Sequence, residues 1–166
     1  MTGSPTCSTR TGASPRSSAV AIAVAALLYA FVHPRKLGVV GGADWAARLF
    51  SNPDTVRIPD VVFVRAERLP GGKVPIKFQD GAPDIVIEVL LPTDRFRRIM
   101  RKVREYLAAG ARLVWVIDPD DRSAVVYRAD GSISEYEADG VLDGEDVLPG
   151  FTLKLADIWV DAEAEA

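Results

Sequence analysis

Two short apolar runs, each introduced by Pro-Asp, constrain the fold of this chain most strongly. They are PDVVFV at residues 59–64 and PDIVIEVL at residues 83–90. Neither run alternates polar with apolar residues, which is typical of strands covered on both faces. Proline is tolerated at the first position of a strand, where the missing N–H matters least. The two runs therefore predict central strands of one sheet.

Glu88 stands in the middle of the second run. A carboxylate inside a buried strand is costly unless another group pairs with it. The next segment, RFRRIMRKVREYLAAG at residues 95–110, supplies cations and predicts a helix that is capped by Thr93 or Asp94 and ends at Gly110. Its apolar residues recur at helical spacing and are predicted to face the core: Phe96, Ile99, Met100, Val103 and Leu107.

The remaining chain adds further strand signals. Residues 37–41, 45–50 and 112–117 are short apolar runs, and residues 124–128 and 132–137 flank an Ala-Asp-Gly turn that predicts a hairpin. Strand, helix and strand followed by a hairpin indicate an α/β (α+β) domain with a mixed sheet.

Residues 19–32 form the most apolar segment. They predict a buried core helix, capped by Ser17 or Ser18 and stopped at Pro34. A signal peptide or membrane anchor is the alternative, but the run is shorter than the roughly 20 residues that a span needs. We therefore expect a cytoplasmic protein and no membrane partner.

The two ends of the chain differ from the middle in composition. Residues 1–16 are rich in Ser, Thr, Gly and Pro and predict a disordered tail, and residues 161–166 are acidic and predicted to fray. Residues 17–160 are predicted to form a single domain.

Composition excludes several classes of site. The net charge is −3, so no global positive field favours nucleic acid. Cys7 is the only cysteine and has no intrachain disulfide partner, and the only histidine, His33, precedes a proline that predicts a helix end. Ligands for a metal would therefore be carboxylates, carbonyls and water, which favour Mg²⁺ or Mn²⁺ over zinc.

Asp60, Glu88 and Lys102 form the candidate catalytic set. If the two Pro-Asp strands are neighbours, Asp60 and Glu88 can share one face and hold a divalent cation, with Lys102 orienting a water. A structural explanation is also open, because Pro-Asp is common in turns and a helical lysine is usually solvated. Spacing alone indicates an α/β domain with a candidate metal site.

Four blocks together, VRIPDVVFVRAERL, GAPDIVIEVLLPTDR, RKVREYLAAGARLVWVIDP and VLDGEDVLPGF, resemble the Uma-type family of restriction endonucleases, within the PD-(D/E)XK nuclease superfamily. The resemblance covers about residues 19–159. It implies a restriction-endonuclease-like core, a central mixed β-sheet flanked by helices, that cleaves DNA with Mg²⁺ or Mn²⁺. The family's metal-binding acids fall on Asp60 and Glu88. The superfamily's lysine position is Leu90 here, and the family's helical lysine matches Lys102.

The resemblance also defines secondary candidates and departures. Asp84 would hold the strand start or a water that contacts the metal's ligands, and Arg95, Arg98 and Arg101 on the basic helix are candidates for phosphate contacts. The family usually begins with a segment resembling YELIDGEL, whereas residues 1–16 contain no Asp or Glu. Two functions follow: a metal-dependent DNA endonuclease, or a catalytically impaired member that binds nucleic acid or forms a homodimer.

Overall fold

The computed structural model describes residues 14–161, which form a six-stranded mixed sheet, two smaller sheets and two α-helices. The helices are α1 (Pro15–Arg35) and α2 (Phe96–Ala108). The strands are β1 (Gly38–Gly41), β2 (Ala47–Phe50), β3 (Thr55–Arg57), β4 (Val61–Arg65), β5 (Gln79–Asp80), β6 (Ile85–Val89), β7 (Leu113–Asp118), β8 (Ser123–Arg128), β9 (Ile133–Tyr136), β10 (Val141–Asp143) and β11 (Thr152–Lys154).

The large sheet has the order β1-β4-β6-β7-β8-β9, so both Pro-Asp strands are central. Strand β4 pairs antiparallel with β6, and β6 pairs parallel with β7 through the α2 crossover. The hairpin predicted around Ala129–Gly131 joins β8 to β9. The predicted fold class, an α/β (α+β) domain with a central mixed sheet flanked by helices, is confirmed.

Alternate residues of the central strands pack into two cores on opposite faces of the sheet. Ile85 and Ile87 point towards α1 and the segment that carries β10 and β11. Val86 points towards α2 and β2. Because both faces are covered, the central strands need no polar alternation.

Helix α1 differs at both ends from the sequence prediction. The cap is Ser14, whose Oγ accepts a hydrogen bond from the backbone N–H of Ser17 at 3.2 Å, rather than Ser17 or Ser18. Pro34 lies inside the last turn, and Lys36 ends the helix in a left-handed conformation with φ 54°. Residues 14–16 of the predicted tail are thus ordered. Residues 1–13 and 162–166 lie outside the described residues.

One face of α1 belongs to the core, as predicted. Val20, Val24, Leu28 and Val32 are buried at every fourth position. By length and composition alone, α1 is also the one helix among residues 14–161 that could cross a membrane.

Helix α2 corrects two predictions. Asp94 does not cap it: Oδ2 of Asp94 accepts a hydrogen bond from Leu91 N–H, and the cap residue is Arg95 without a side-chain bond. Phe96 was predicted to be buried but is 77% exposed. Lys102 already reaches Glu88 near the end of β6. Phe96 lies about 9 Å further along the helix and extends past that strand.

We expect Ile99→Ala to lower the free energy of unfolding by about 2–5 kcal/mol, because Ile99 is buried under α2. Phe96→Ala, in the same helix, should change it by no more than about 0.5 kcal/mol. Urea unfolding followed by circular dichroism measures both. Equal losses would contradict the orientation of the helix.

Candidate active site

The antiparallel pairing of β4 with β6 brings Asp60 beside Glu88. Val61 is opposite Ile87 and Val62 is opposite Val86. Continuing this register by one residue puts Asp60 opposite Glu88. Directly opposed residues of an antiparallel pair extend to the same face, here the face covered by α2. The first condition for a two-carboxylate site is therefore met.

Asp60 lies at the entrance to β4 and is half-buried. Its Oδ2 accepts a hydrogen bond from the backbone N–H of Val89 at 2.8 Å. Val89 is the last residue of β6 and follows Glu88 directly. The bond therefore ties the Asp60 carboxylate to the strand end that carries the second acid.

Glu88 is only 4% exposed, and both of its carboxylate oxygens accept hydrogen bonds from α2. Lys102 Nζ donates to Oε2 at 2.8 Å. Tyr106 Oη donates to Oε1 at 2.6 Å. The two donors are four residues apart, one turn of the same helix face. The partner that the sequence required for Glu88 is thus a pair of groups, of which only Lys102 was predicted.

Burial and the charge of Lys102 shift the pKa of Glu88 in opposite directions. Burial raises the pKa of the Glu88 carboxyl above its ordinary value, the charge of Lys102 lowers it, and the charge of Asp60 raises it. Burial, followed by the charge of Glu88, raises the pKa of the Tyr106 hydroxyl far above its ordinary value. Tyr106 is therefore a neutral donor throughout the physiological pH range.

A second ion pair connects the chain before Asp60 to the same helix. Arg57, at the end of β3, donates from Nε to Glu105 Oε2 at 2.7 Å. This hydrogen bond raises the pKa of the Arg57 guanidinium. Because Glu105 adjoins Tyr106, the pair fixes the Asp60 segment against the part of α2 that carries the Glu88 donors. The sequence analysis assigned no role to Arg57, Glu105 or Tyr106. The four-residue spacing from Lys102 to Tyr106 was the available signal.

Asp84 lies at the other end of β6. Its Oδ2 accepts from Arg65 N–H at 2.9 Å, and its Oδ1 pairs with Arg68 at 3.0 Å. Four residues of strand separate it from Glu88, about 13 Å. The structure does not bring Asp84 together with Asp60 and Glu88, and its contacts hold the start of the strand.

Exposed arginines line the outer side of α2. Their side chains form no ion pair with any residue in the range 14–161. They are Arg95, Arg97, Arg98, Arg101 and Arg104.

The donor set around Asp60 and Glu88 suits one class of cation. Within residues 14–161, no group of three Asp, Glu, His or Cys side chains could hold a metal ion. Two carboxylates remain, and Mg²⁺ is commonly held by one or two carboxylates together with waters and substrate phosphates. Each Glu88 oxygen accepts one hydrogen bond and has a further lone pair. The residues present therefore fit Mg²⁺ or Mn²⁺.

We expect Lys102→Met to cost about 3 kcal/mol of stability at pH 8, because it leaves a buried carboxylate without its cation. The loss should be smaller at pH 5. The pKa of Glu88 is raised in the folded state, so the stability contributed by Glu88 is full below the ordinary glutamate pKa, where the carboxyl is neutral, and is lost as the pH rises through the raised value. The cost of an ionised Glu88 without Lys102 therefore grows with pH. Urea unfolding at both pH values measures this difference.

Two controls isolate the pair. Arg101→Met removes a neighbouring exposed cation and should be nearly neutral. Glu88→Gln combined with Lys102→Met should recover most of the loss. A Lys102→Met loss that does not depend on pH would contradict an ionised Glu88 at pH 8.

Comparison with known proteins finds the same architecture in a solved structure. A crystal structure from Anabaena variabilis ATCC 29413, described as "a putative nuclease belonging to DUF820", superposes with a TM-score of 0.78 at 21% identity, covering 89% of this chain and 82% of that one. This likeness shows the fold. No curated protein matches significantly. The model of the Uma2 family, described as "Putative restriction endonuclease", matches residues 9–156, most of the sequence, and the chain therefore belongs to that family.

Proposed function

We propose that the chain is a divalent-cation-dependent endonuclease that hydrolyses DNA phosphodiester bonds. The observation that supports it is the opposition of Asp60 and Glu88 on neighbouring strands, with the Lys102 ammonium group 2.8 Å from Glu88. Membership of the Uma2 family supports the nuclease class.

Asp60 and Glu88 would hold Mg²⁺ or Mn²⁺. When bound, such an ion supplies positive charge to the phosphate oxygens and makes a coordinated water more acidic. Asp60 contributes a half-buried carboxylate that is anchored at Val89. Glu88 contributes a carboxylate fixed by α2, so both ligands are oriented before any ion arrives.

Lys102 would position the attacking water. Its ammonium group has three donors, and one of them is used on Glu88. The Lys102 side chain is 21% exposed, so the remaining donors can reach solvent or a phosphate oxygen. During hydrolysis the water oxygen bonds to phosphorus as the bond from phosphorus to the leaving oxygen breaks, and the proton lost by the water is balanced by one gained by the leaving oxygen. A cation at this position stabilises the charge that builds up on the phosphate.

Tyr106 acts as a positioning residue in this proposal. Its hydroxyl holds Oε1 of Glu88 at 2.6 Å and stays protonated because its pKa is raised. The exposed arginines of α2 would contact flanking phosphates. Their guanidinium groups provide bidentate donors suited to that geometry.

A catalytically impaired module is the second candidate, and one observation favours it. Both oxygens of Glu88 already accept hydrogen bonds, and the residue is 4% exposed, as in a purely structural ion pair. Titration calorimetry with Mn²⁺ separates the two. Binding that is lost in Asp60→Asn supports the nuclease, and no binding at millimolar Mn²⁺ by the folded protein supports the module.

We expect plasmid nicking with Mg²⁺ or Mn²⁺ to fall at least 100-fold in Asp60→Asn and in Glu88→Gln, because each removes a charged ligand. Glu137→Gln and Asp139→Asn, which change exposed carboxylates elsewhere, are the matched controls. Circular dichroism checks that all four variants fold. Equal nicking in the wild type and the two site variants would contradict the assignment of Asp60 and Glu88 as metal ligands.

We expect Arg98→Ala to weaken DNA binding at low salt and to reduce the slope of log K against log salt by about 1, because one phosphate contact is lost. Lys154→Ala changes an exposed cation on β11, across the sheet from α2, and should leave the slope unchanged. Fluorescence anisotropy between low and moderate salt measures both slopes. Identical slopes for the wild type and Arg98→Ala would contradict a phosphate contact by Arg98.

A further inference from the structure

Between the exposed polar residues Ser18 and His33, helix α1 is apolar on the face turned away from the sheet as well as on the face that enters the core. Ile22 is 68% exposed, Tyr29 is 52% exposed and Leu27 is 37% exposed, and Ala26 and Ala30 lie exposed between them. Residues 17–32 contain no charged side chain. A helix that is apolar on all sides is normally buried on all sides.

We infer that this outer face packs against the same face of a second copy of the chain, with the two α1 helices antiparallel. This inference is independent of the proposed nuclease activity. Ile22, Ala26 and Ala30 are each one turn apart on the exposed face. A twofold axis at Ala26 sets the small Ala26 side chains against each other, and Ile22 of one copy against Ala30 of the other.

Charge at the two ends of α1 supports a second copy in this orientation. Arg35 and Lys36 make the carboxyl end basic. The amino end adjoins the β7–β8 turn, where Asp120 pairs with Arg16 and Arg122 pairs with Asp161, both at 2.9 Å, and the exposed Asp121 leaves the turn net negative. With the axis at Ala26, the basic end of one copy lies against this net negative end of the other, which also contains Arg16. A parallel arrangement would instead oppose like charges, which is unfavourable.

A twofold contact of this kind is self-complementary, so one patch serves both subunits. A lipid surface would also cover an apolar helix. However, Val24 and Leu28 are fully buried in the domain core, and Ser17 Oγ donates to the backbone carbonyl of Leu90 at 2.6 Å. These contacts hold α1 on the sheet and leave only its outer face available, which matches an interface better than a span.

Light scattering after size exclusion tests the interface on the full chain. The wild type is expected to be a dimer at micromolar concentration. Tyr29→Glu and Ile22→Glu should give folded monomers, because both side chains are exposed in a single copy. Phe96→Glu changes an exposed aromatic residue on α2 and should leave the dimer intact. A monomeric wild type at 100 μM, or dimers in both glutamate variants, would overturn the proposal.

Cysteine cross-linking in a Cys7→Ser background tests the orientation. Ala26→Cys should form an intermolecular disulfide with itself, since a disulfide needs Cβ atoms about 4 Å apart. Ile22→Cys and Ala30→Cys should cross-link when mixed and much less when separate. Efficient self-linking of all three would show a parallel contact and overturn the antiparallel arrangement. Co-flotation of the wild type with phosphatidylcholine vesicles would show that lipid, rather than a second copy, covers the outer face of α1, and would overturn the proposal.

Discussion

The burial of a carboxylate in a central strand is the constraint on which the rest of the structure depends. Glu88 cannot remain charged there unless donors reach it, since an unpaired buried charge is too costly. Helix α2 supplies both donors from one face, through Lys102 and Tyr106. The parallel β6-α2-β7 unit is thus both a crossover and the support for Glu88. The orientation of α2 on the sheet follows from core packing together with its hydrogen bonds to Glu88.

The same constraint fixes the approach of Asp60. Strand β4 must run antiparallel to β6 for its first residues to meet the end of β6. The Arg57–Glu105 pair and the Asp60–Val89 hydrogen bond then hold the entry to β4 from two sides. Strand β4 thus meets the consecutive elements β6 and α2 at one strand end, and this convergence is what separates the site from an isolated buried ion pair.

Much of the fold could be predicted because its signals are local. Apolar runs without alternation indicated the central strands, and the Ala-Asp-Gly turn indicated the β8–β9 hairpin. The need of Glu88 for a partner was also readable from the sequence. Its identity was only partly readable: Lys102 was named as a candidate among several cations in its helix, and the family resemblance supported that choice, but Tyr106 was not named.

The predictions that failed depend on where elements end relative to each other. Phe96 fits the apolar stripe of α2, yet the strand beneath it stops first. Tyr106 has the spacing of a core residue, and its hydroxyl gains a function only because Glu88 lies opposite. Ser14 caps α1 inside a segment whose composition is that of a tail. For Phe96 and Tyr106 the deciding contact is tertiary, whereas the Ser14 cap is a local hydrogen bond from Ser17 N–H in a segment that composition assigned to the tail.

The end of β6 is held from three directions, and this determines how the site can respond. Ser17 of α1 donates to the Leu90 carbonyl, Leu90 N–H donates to Ile117 of β7, and Asp60 accepts from Val89 N–H. Little backbone movement is therefore open to Glu88. Lys102, with its flexible stem and partial exposure, is the group that can shift. In the proposed mechanism, a cation held by Asp60 and Glu88 would compete with the Lys102 ammonium group for Glu88, and the same side chain would stabilise the fold in the free protein and face the substrate phosphate in the complex.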